Sequence, residues 1–195
     1  ALITGYVQNE QNEEALTCFG LMQQEGFSPD KFTFTCVLKA CSRLGAFDKG
    51  EEVHVQIVRR RLLQKDVMLG TALLDMYCKL GAIEKIEDLF DSLSIQDIVS
   101  WTVLISGYAQ HGHVEKALSY FERMQHIGIT PNEVTIVCIL RACGSMVDVG
   151  KGLEIHAHME KKGWLDRDVA VGTALLDMFI KCGLLPEAHK IFSTL

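Results

Sequence analysis

Apolar residues recur along this chain with a helical rhythm, and no stretch sustains the alternation of a strand. Between 98 and 132, Trp101, Leu104, Ile105 and Tyr108 fall at i, i+3, i+4 and i+7, which places them on one helical stripe. Gly112 interrupts that pattern, and Val114, Ala117, Leu118, Phe121 and Met124 form a second stripe. Gly128 closes the second helix, and Pro131, which lacks an N–H and fixes φ, bars its continuation. Residues 67–97 follow the same plan. Leu69, Ala72, Leu73, Met76 and Tyr77 form the first stripe, Gly81 is the break, and Ile83, Ile86, Leu89 and Phe90 form the second. Near the end of the chain Pro186 falls in the first turn of an expected second helix, where proline is tolerated. The pattern predicts a succession of helical hairpins.

These hairpins repeat. Leu-Leu-Asp-Met stands at Leu73–Met76 and again at Leu175–Met178, a shift of 102 residues. Under that shift residues 1–93 align without a gap on 103–195, and about 36 of the 93 positions are identical, so one long unit has been copied twice. Asp30, Asp66, Asp97, Asn132 and Asp168 each precede a helical pattern, with a short extended stretch expected between. They divide the chain into 1–30, 31–66, 67–97, 98–132, 133–168 and 169–195. The complete segments have 36, 31, 35 and 36 residues, and the first is expected to lack its start and the last its end. The fold class is all-α: an α-solenoid in which each hairpin buries its apolar face against its neighbours.

Composition narrows the function. The 195 residues carry 19 Lys and Arg against 25 Asp and Glu, a formal net charge of −6, which excludes a simple polycation coating nucleic acid but leaves room for a local basic groove. At 48% hydrophobic and 23% charged the chain can bury a core. No apolar run approaches the roughly 18–20 residues of a membrane span. Seven cysteines, an odd number, argue for a reducing compartment over a disulfide framework. The chain opens inside a helical pattern and shows no signal peptide, so any targeting segment is expected outside it.

The rotation of 35, 36 and 31 residues, with Pro-Asp or Pro-Asn closing the 35-residue segment, resembles the pentatricopeptide repeat family, and within it the PLS subclass of land plants. Ile98-Val-Ser-Trp-Thr-Val-Leu-Ile-Ser-Gly-Tyr108 carries the likeness to a P repeat, Cys36-Val-Leu-Lys-Ala-Cys41 to an L repeat and Gly70-Thr-Ala-Leu-Leu-Asp-Met-Tyr77 to an S repeat. On that resemblance 1–30 and 98–132 are P repeats, 31–66 and 133–168 L repeats, and 67–97 and 169–195 S repeats. The resemblance implies helix-turn-helix pentatricopeptide repeats wound into a right-handed superhelix. It also implies binding of single-stranded RNA, one base per repeat, in the manner of other repeat readers. PLS proteins are typically specificity factors for cytidine-to-uridine editing in mitochondria and plastids. Organellar RNA is therefore the expected partner, accessory editing-factor proteins are possible further partners, and the expected location is a mitochondrion or plastid.

The same resemblance assigns residues. A first-helix residue and the last residue of the repeat would contact the base edge: Thr35 with Asp66, Thr71 with Asp97, Thr102 with Asn132, and Val137 with Asp168. The end segments retain only Asp30 and only Thr173 of such pairs. A carboxylate accepts only, which suits the N–H groups of guanine, whereas an amide donates and accepts and can serve adenine. Thr71/Asp97 and Thr102/Asn132 then read G and A, Thr35/Asp66 also spells G, Val137 specifies nothing, and Thr173 suggests a purine. The expected core is 5′-(G)-G-A-N-purine-3′. The second residue of each repeat, Phe32, Met68, Val99, Val134 and Ala170, would stack on bases or else staple neighbouring repeats. Lys79 and Lys181 lie where the family contacts phosphate. The first-helix faces together carry Lys39, Arg43, Lys79, Arg141 and Lys181 against Asp75 and Asp177. Arg59-Arg60-Arg61 ends a second helix, where cations suit the helix dipole.

Catalytic motifs are not found. Cys36/Cys41 and Cys138/Cys143 are spaced C-x4-C, not C-x-x-C. His156 and His158 project to different sides of a helix, and His111 and His113 flank a hairpin turn, so no metal and no cofactor is expected. His54 and His156 share a register and read as packing or surface residues. The H-x-E and P-C-x-x-C pair of zinc deaminases is missing, so the segment is read as not an enzyme, with any deaminase-like tail outside it. Two other functions fit the pattern: a protein-interaction scaffold, and the targeting portion of a larger RNA-processing enzyme.

Overall fold

A computed structural model describes residues 1–64, 66–147, 149–162 and 169–193, with the side chains of His158 and Lys162 excepted. Among the described residues there are twelve α-helices and no strand. They are α1 Leu2–Gln8, α2 Asn12–Gln24, α3 Lys31–Leu44, α4 Phe47–Arg59, α5 Val67–Lys79 and α6 Ile83–Ser92, then α7 Ile98–Gln110, α8 Val114–His126, α9 Glu133–Met146, α10 Val149–Lys162, α11 Val169–Lys181 and α12 Leu185–Phe192. Each of the six sequence segments holds two of them. The architecture is that of an α-solenoid of helical hairpins. Among the described residues no helix is long and apolar enough to cross a membrane.

The chain forms two compact units, Ala1–Val103 and Leu104–Leu195, with the division inside α7. In the first, odd-numbered helices stand side by side, α3 against both α1 and α5, and each packs on the following even-numbered helix. Aromatic pairs join successive hairpins. Phe19 of α2 meets Phe34 of α3 edge-on at 6.2 Å, and Phe90 of α6 meets Trp101 of α7 at 4.8 Å. All four are fully buried. Each such side chain contributes about 1.5–3 kcal/mol by leaving water. In the second unit α9 packs against α8, α10 and α11, and α11 against α12. There Tyr108 and Tyr120 stack with their planes 6° apart.

The turns explain where helices stop. Gly45, with φ 69°, ends α3 in the left-handed conformation, where a Cβ would clash with the backbone. One long unit later the same place is held by Val147, with φ 55°. A β-branched residue is strained there. The extended stretches expected after Asp30, Asp66 and Asn132 shrink to those residues themselves. Each has extended or near-extended backbone, and the helix begins at the next residue. The reason is capping: side-chain oxygens at these positions satisfy the free amides of the first turn, so no further extended residue intervenes.

Candidate nucleic-acid interface

Three features occupy fixed places at the starts of the odd-numbered helices α3, α5, α7 and α9, and the second and third positions are described again in α11. First comes the residue before the helix. Asp30 Oδ1 accepts from Thr33 N at 2.7 Å and from Thr33 Oγ1 at 2.7 Å. Asp66 Oδ1 accepts from Leu69 N at 3.1 Å. Asp97 Oδ1 accepts from Val99 N at 3.1 Å and Ser100 N at 2.9 Å. Asn132 Oδ1 accepts from Thr135 N at 2.9 Å and Thr135 Oγ1 at 2.8 Å. One side-chain oxygen is thereby spent on the helix in each of these four cases. The hydroxyl and amide of Thr33 hold the Asp30 carboxyl below its usual range. Asp66 is also lowered, first by Lys31, whose Nζ lies 2.8 Å from Asp66 Oδ2.

The second feature is the second residue of the helix. Phe32, Met68, Val99 and Val134 are 65, 74, 51 and 57% exposed, and Ala170 is exposed as well. Other apolar side chains also reach the surface, Phe27 and Val58 among them, but these five recur at one place in five successive odd-numbered helices. The third feature is the fifth residue, three positions on and so on the same helical face. Thr35, Thr102 and Thr173 donate their hydroxyl protons to the carbonyls of Lys31, Ile98 and Val169, at 2.9, 2.7 and 2.7 Å. Thr71 is different: its hydroxyl is buried and has no hydrogen-bond partner. An unsatisfied buried hydroxyl costs about 1–3 kcal/mol. Val137, half-buried, takes the fifth place in α9. Asp168 and the side chain of His158 lie outside the described residues.

The cations are partly engaged. Lys79 Nζ pairs with Asp75 Oδ2 at 2.6 Å, and Lys181 Nζ with Asp177 Oδ2 at 2.7 Å, both one helical turn back. Such exposed pairs contribute roughly 0.3–0.5 kcal/mol and are readily exchanged for another anion. Arg43 Nη1 donates to the Val7 carbonyl at 2.8 Å, joining α3 to the end of α1. Arg60, at the end of α4, donates to the Pro29 carbonyl at 3.0 Å and lies over the Phe34 ring.

Sequence reasoning missed two things. It read the boundary residues as base contacts and not as helix caps, although Asp30-x-x-Thr33, Asp97-x-x-Ser100 and Asn132-x-x-Thr135 are recognisable helix starts. It also passed over Lys31, whose partner Asp66 is too distant in sequence for any local pattern to reveal. His54, expected as a packing or surface residue, is half-buried with Nδ1 2.8 Å from the Tyr77 hydroxyl. Burial lowers its pKa and pushes that of Tyr77 up to about 12. Among the described residues no group of three His, Cys, Asp or Glu side chains is placed to hold a metal ion.

Comparison with known proteins gives a consistent result. The model of the PPR repeat family matches residues 1–43 and 96–145, and the model of the PPR repeat matches 32–62, 71–94 and 173–195. A mitochondrial pentatricopeptide repeat-containing protein of Arabidopsis thaliana is 38% identical over 191 residues, covering 98% of this chain and 21% of that protein. Another relative from the same plant is named chloroplastic. The chain thus spans about a fifth to a quarter of the length of these relatives. The crystal structure of the pentatricopeptide repeat protein PPR10 from maize superposes with a TM-score of 0.74 at 23% identity, over 97% of this chain and 27% of that one. PPR10 in complex with an 18-nt psaJ RNA element gives 0.53 at 18% identity, over 99% and 34%. Those two likenesses concern the fold.

Proposed function

The chain belongs to the pentatricopeptide repeat family, and from that premise we propose that it is a sequence-specific single-stranded RNA-binding array, one repeat to a base. The observation that carries this reading is the recurrence, at the starts of odd-numbered helices, of an exposed apolar side chain at the second residue, a hydroxyl at the fifth in every case but α9, and a capping Asp or Asn whose helix contact uses one of its two polar side-chain atoms. Packing does not require the exposed side chains, and a helix cap does not require the spare atoms. A base inserted there finds an apolar surface for its face and polar atoms for its edge. PPR10, which shares the fold, has been crystallised with RNA.

In this proposal Phe32, Met68, Val99, Val134 and Ala170 hold base faces. Thr35 with Asp66 and Thr71 with Asp97 read guanine, and the amide of Asn132 suits adenine. Lys79 and Lys181 release Asp75 and Asp177 and take phosphates instead, so affinity falls with salt. The P, L, S rotation supports a role in choosing sites for organellar cytidine-to-uridine editing, with the chemistry supplied elsewhere. The organelle names borne by relatives agree with that location.

The test is a base swap at one repeat. Fluorescent single-stranded RNA carrying G or A opposite repeat 67–97 is titrated with the wild type and with Asp97→Asn. The wild type should favour G and the variant A, each by about tenfold, the worth of one hydrogen bond to a charged or buried group. Tight binding that ignores the base would refute base reading at this repeat. No binding even at low salt would refute the proposal and favour a scaffold for proteins.

A further inference from the structure

Lys31 is the first residue of α3, and it touches every part of the site at repeat 31–66. Its ammonium lies 2.8 Å from Asp66 Oδ2 and 5.3 Å from the centre of the Phe32 ring, and its carbonyl accepts the Thr35 hydroxyl proton at 2.9 Å. The other described capping residues are held differently: Asp30, Asp97 and Asn132 bond only within their own first turns. The residues equivalent to Lys31 are Val67, Ile98, Glu133 and Val169, and none is a cation.

We propose that Lys31 is a third base-reading residue, which completes with Thr35 and Asp66 a site complementary to all three polar positions on the guanine edge. This rests on the RNA-reading function proposed above. A carboxylate offers about four acceptor directions, and Leu69 N and Lys31 use two of them. Asp66 Oδ2 therefore still accepts from guanine N1–H while Lys31 keeps hold of it. Thr35 has given its proton to the Lys31 carbonyl, so it presents a lone pair, which suits the guanine 2-amino group. Two of the three Lys31 N–H groups remain, and one reaches the guanine 6-oxo group beside N1–H. The site then runs acceptor, acceptor, donor against the donor, donor, acceptor of guanine. Adenine sets its 6-amino donor against the ammonium, and uracil sets its 2-oxo acceptor against the Thr35 lone pair. Adenine also sets its N1 acceptor against the Asp66 carboxylate, so it meets two like-with-like contacts and uracil one. The site is also neutral overall, so reading guanine here leaves no carboxylate facing the phosphate chain uncompensated.

The test uses Lys31→Met, which keeps most of the stem and removes the ammonium. Wild type and variant are titrated with RNAs carrying G, A or U opposite repeat 31–66 and G opposite repeat 67–97, and the second repeat is varied separately as a control. Thermal melting followed by circular dichroism checks that the variant is folded. The expected result is a fall of about tenfold in the preference for G over A at repeat 31–66, with the preference at repeat 67–97 unchanged. An equal loss for all three bases would overturn the proposal and make Lys31 a backbone contact. A gain in G preference would overturn it in the other direction, with Lys31 a competitor for Asp66. Failure of the wild type to bind or discriminate at repeat 67–97 would instead refute the RNA-reading function on which the proposal rests.

Discussion

Asp97 caps α7, and the proposed reading of RNA gives it a second role that substitution can separate from the first. Its Oδ1 accepts from the amides of Val99 and Ser100 and so closes the start of α7, and the helix it closes carries Trp101, which is fully buried against Phe90. Asp97→Ala removes the oxygen and strands two amides, which should cost about 1 kcal/mol within the usual span of roughly 0.5–2 for lost caps. Asp97→Asn keeps a carbonyl oxygen in the same place and should cost only a few tenths of that. For a chain of this size 1 kcal/mol lowers the melting temperature by about 2–4 °C. The assay is thermal melting by circular dichroism on wild type, Asp97→Ala, Asp97→Asn and Asp97→Ser, with RNA omitted. The order should be wild type near Asn and Ser, with Ala lowest. Equal losses in Ala and Asn would mean that charge near the helix dipole, not the capping bond, holds α7, and the geometric argument would be wrong. No loss in Ala would mean that the two amides find water at no cost, and the capping reading would fail.

Two further perturbations test the packing. His54 has its pKa below the ordinary 6.5 because it is buried, so the unfolded chain takes up a proton first as pH falls. Stability should therefore decline as pH drops below about 6.5, and His54→Gln should flatten that part of the melting-temperature profile; an unchanged profile would refute it. Val147 holds the left-handed conformation that Gly45 holds in the earlier copy, so Val147→Gly should stabilise by roughly 0.5–1 kcal/mol, the strain relieved less the chain entropy of glycine. Gly45→Val should destabilise by at least as much, and equal melting temperatures for these variants and wild type would refute the account.

The helical skeleton was legible because it rests on short-range periodicity. Trp101, Leu104, Ile105 and Tyr108 announce a buried stripe, and all four are fully buried. Gly81, Gly112 and Gly128 mark turns, and all three have positive φ. What pattern alone could not supply was the use made of polar atoms. Lys79 could be seen four residues after Asp75, yet whether it points to solvent or to that neighbour depends on a rotamer. Val147 hides a turn because an apolar residue stands where glycine is the usual signal. The Lys31–Asp66 pair joins the two ends of one repeat, and only folding brings them together.

The helix caps have a consequence for how such a chain can change what it reads. In the proposed reading, the letter that selects a base is also the joint between one hairpin and the next, since Asp30, Asp66, Asp97 and Asn132 each fasten the helix that follows. Its alphabet is therefore restricted to side chains that can cap, chiefly Asp, Asn, Ser and Thr. Exchanges within that alphabet rewrite the message while the scaffold stays intact, and exchanges outside it loosen the scaffold before they alter the message. Drift in specificity is thus channelled into a few small polar steps, and an array can be respelled one repeat at a time without being rebuilt.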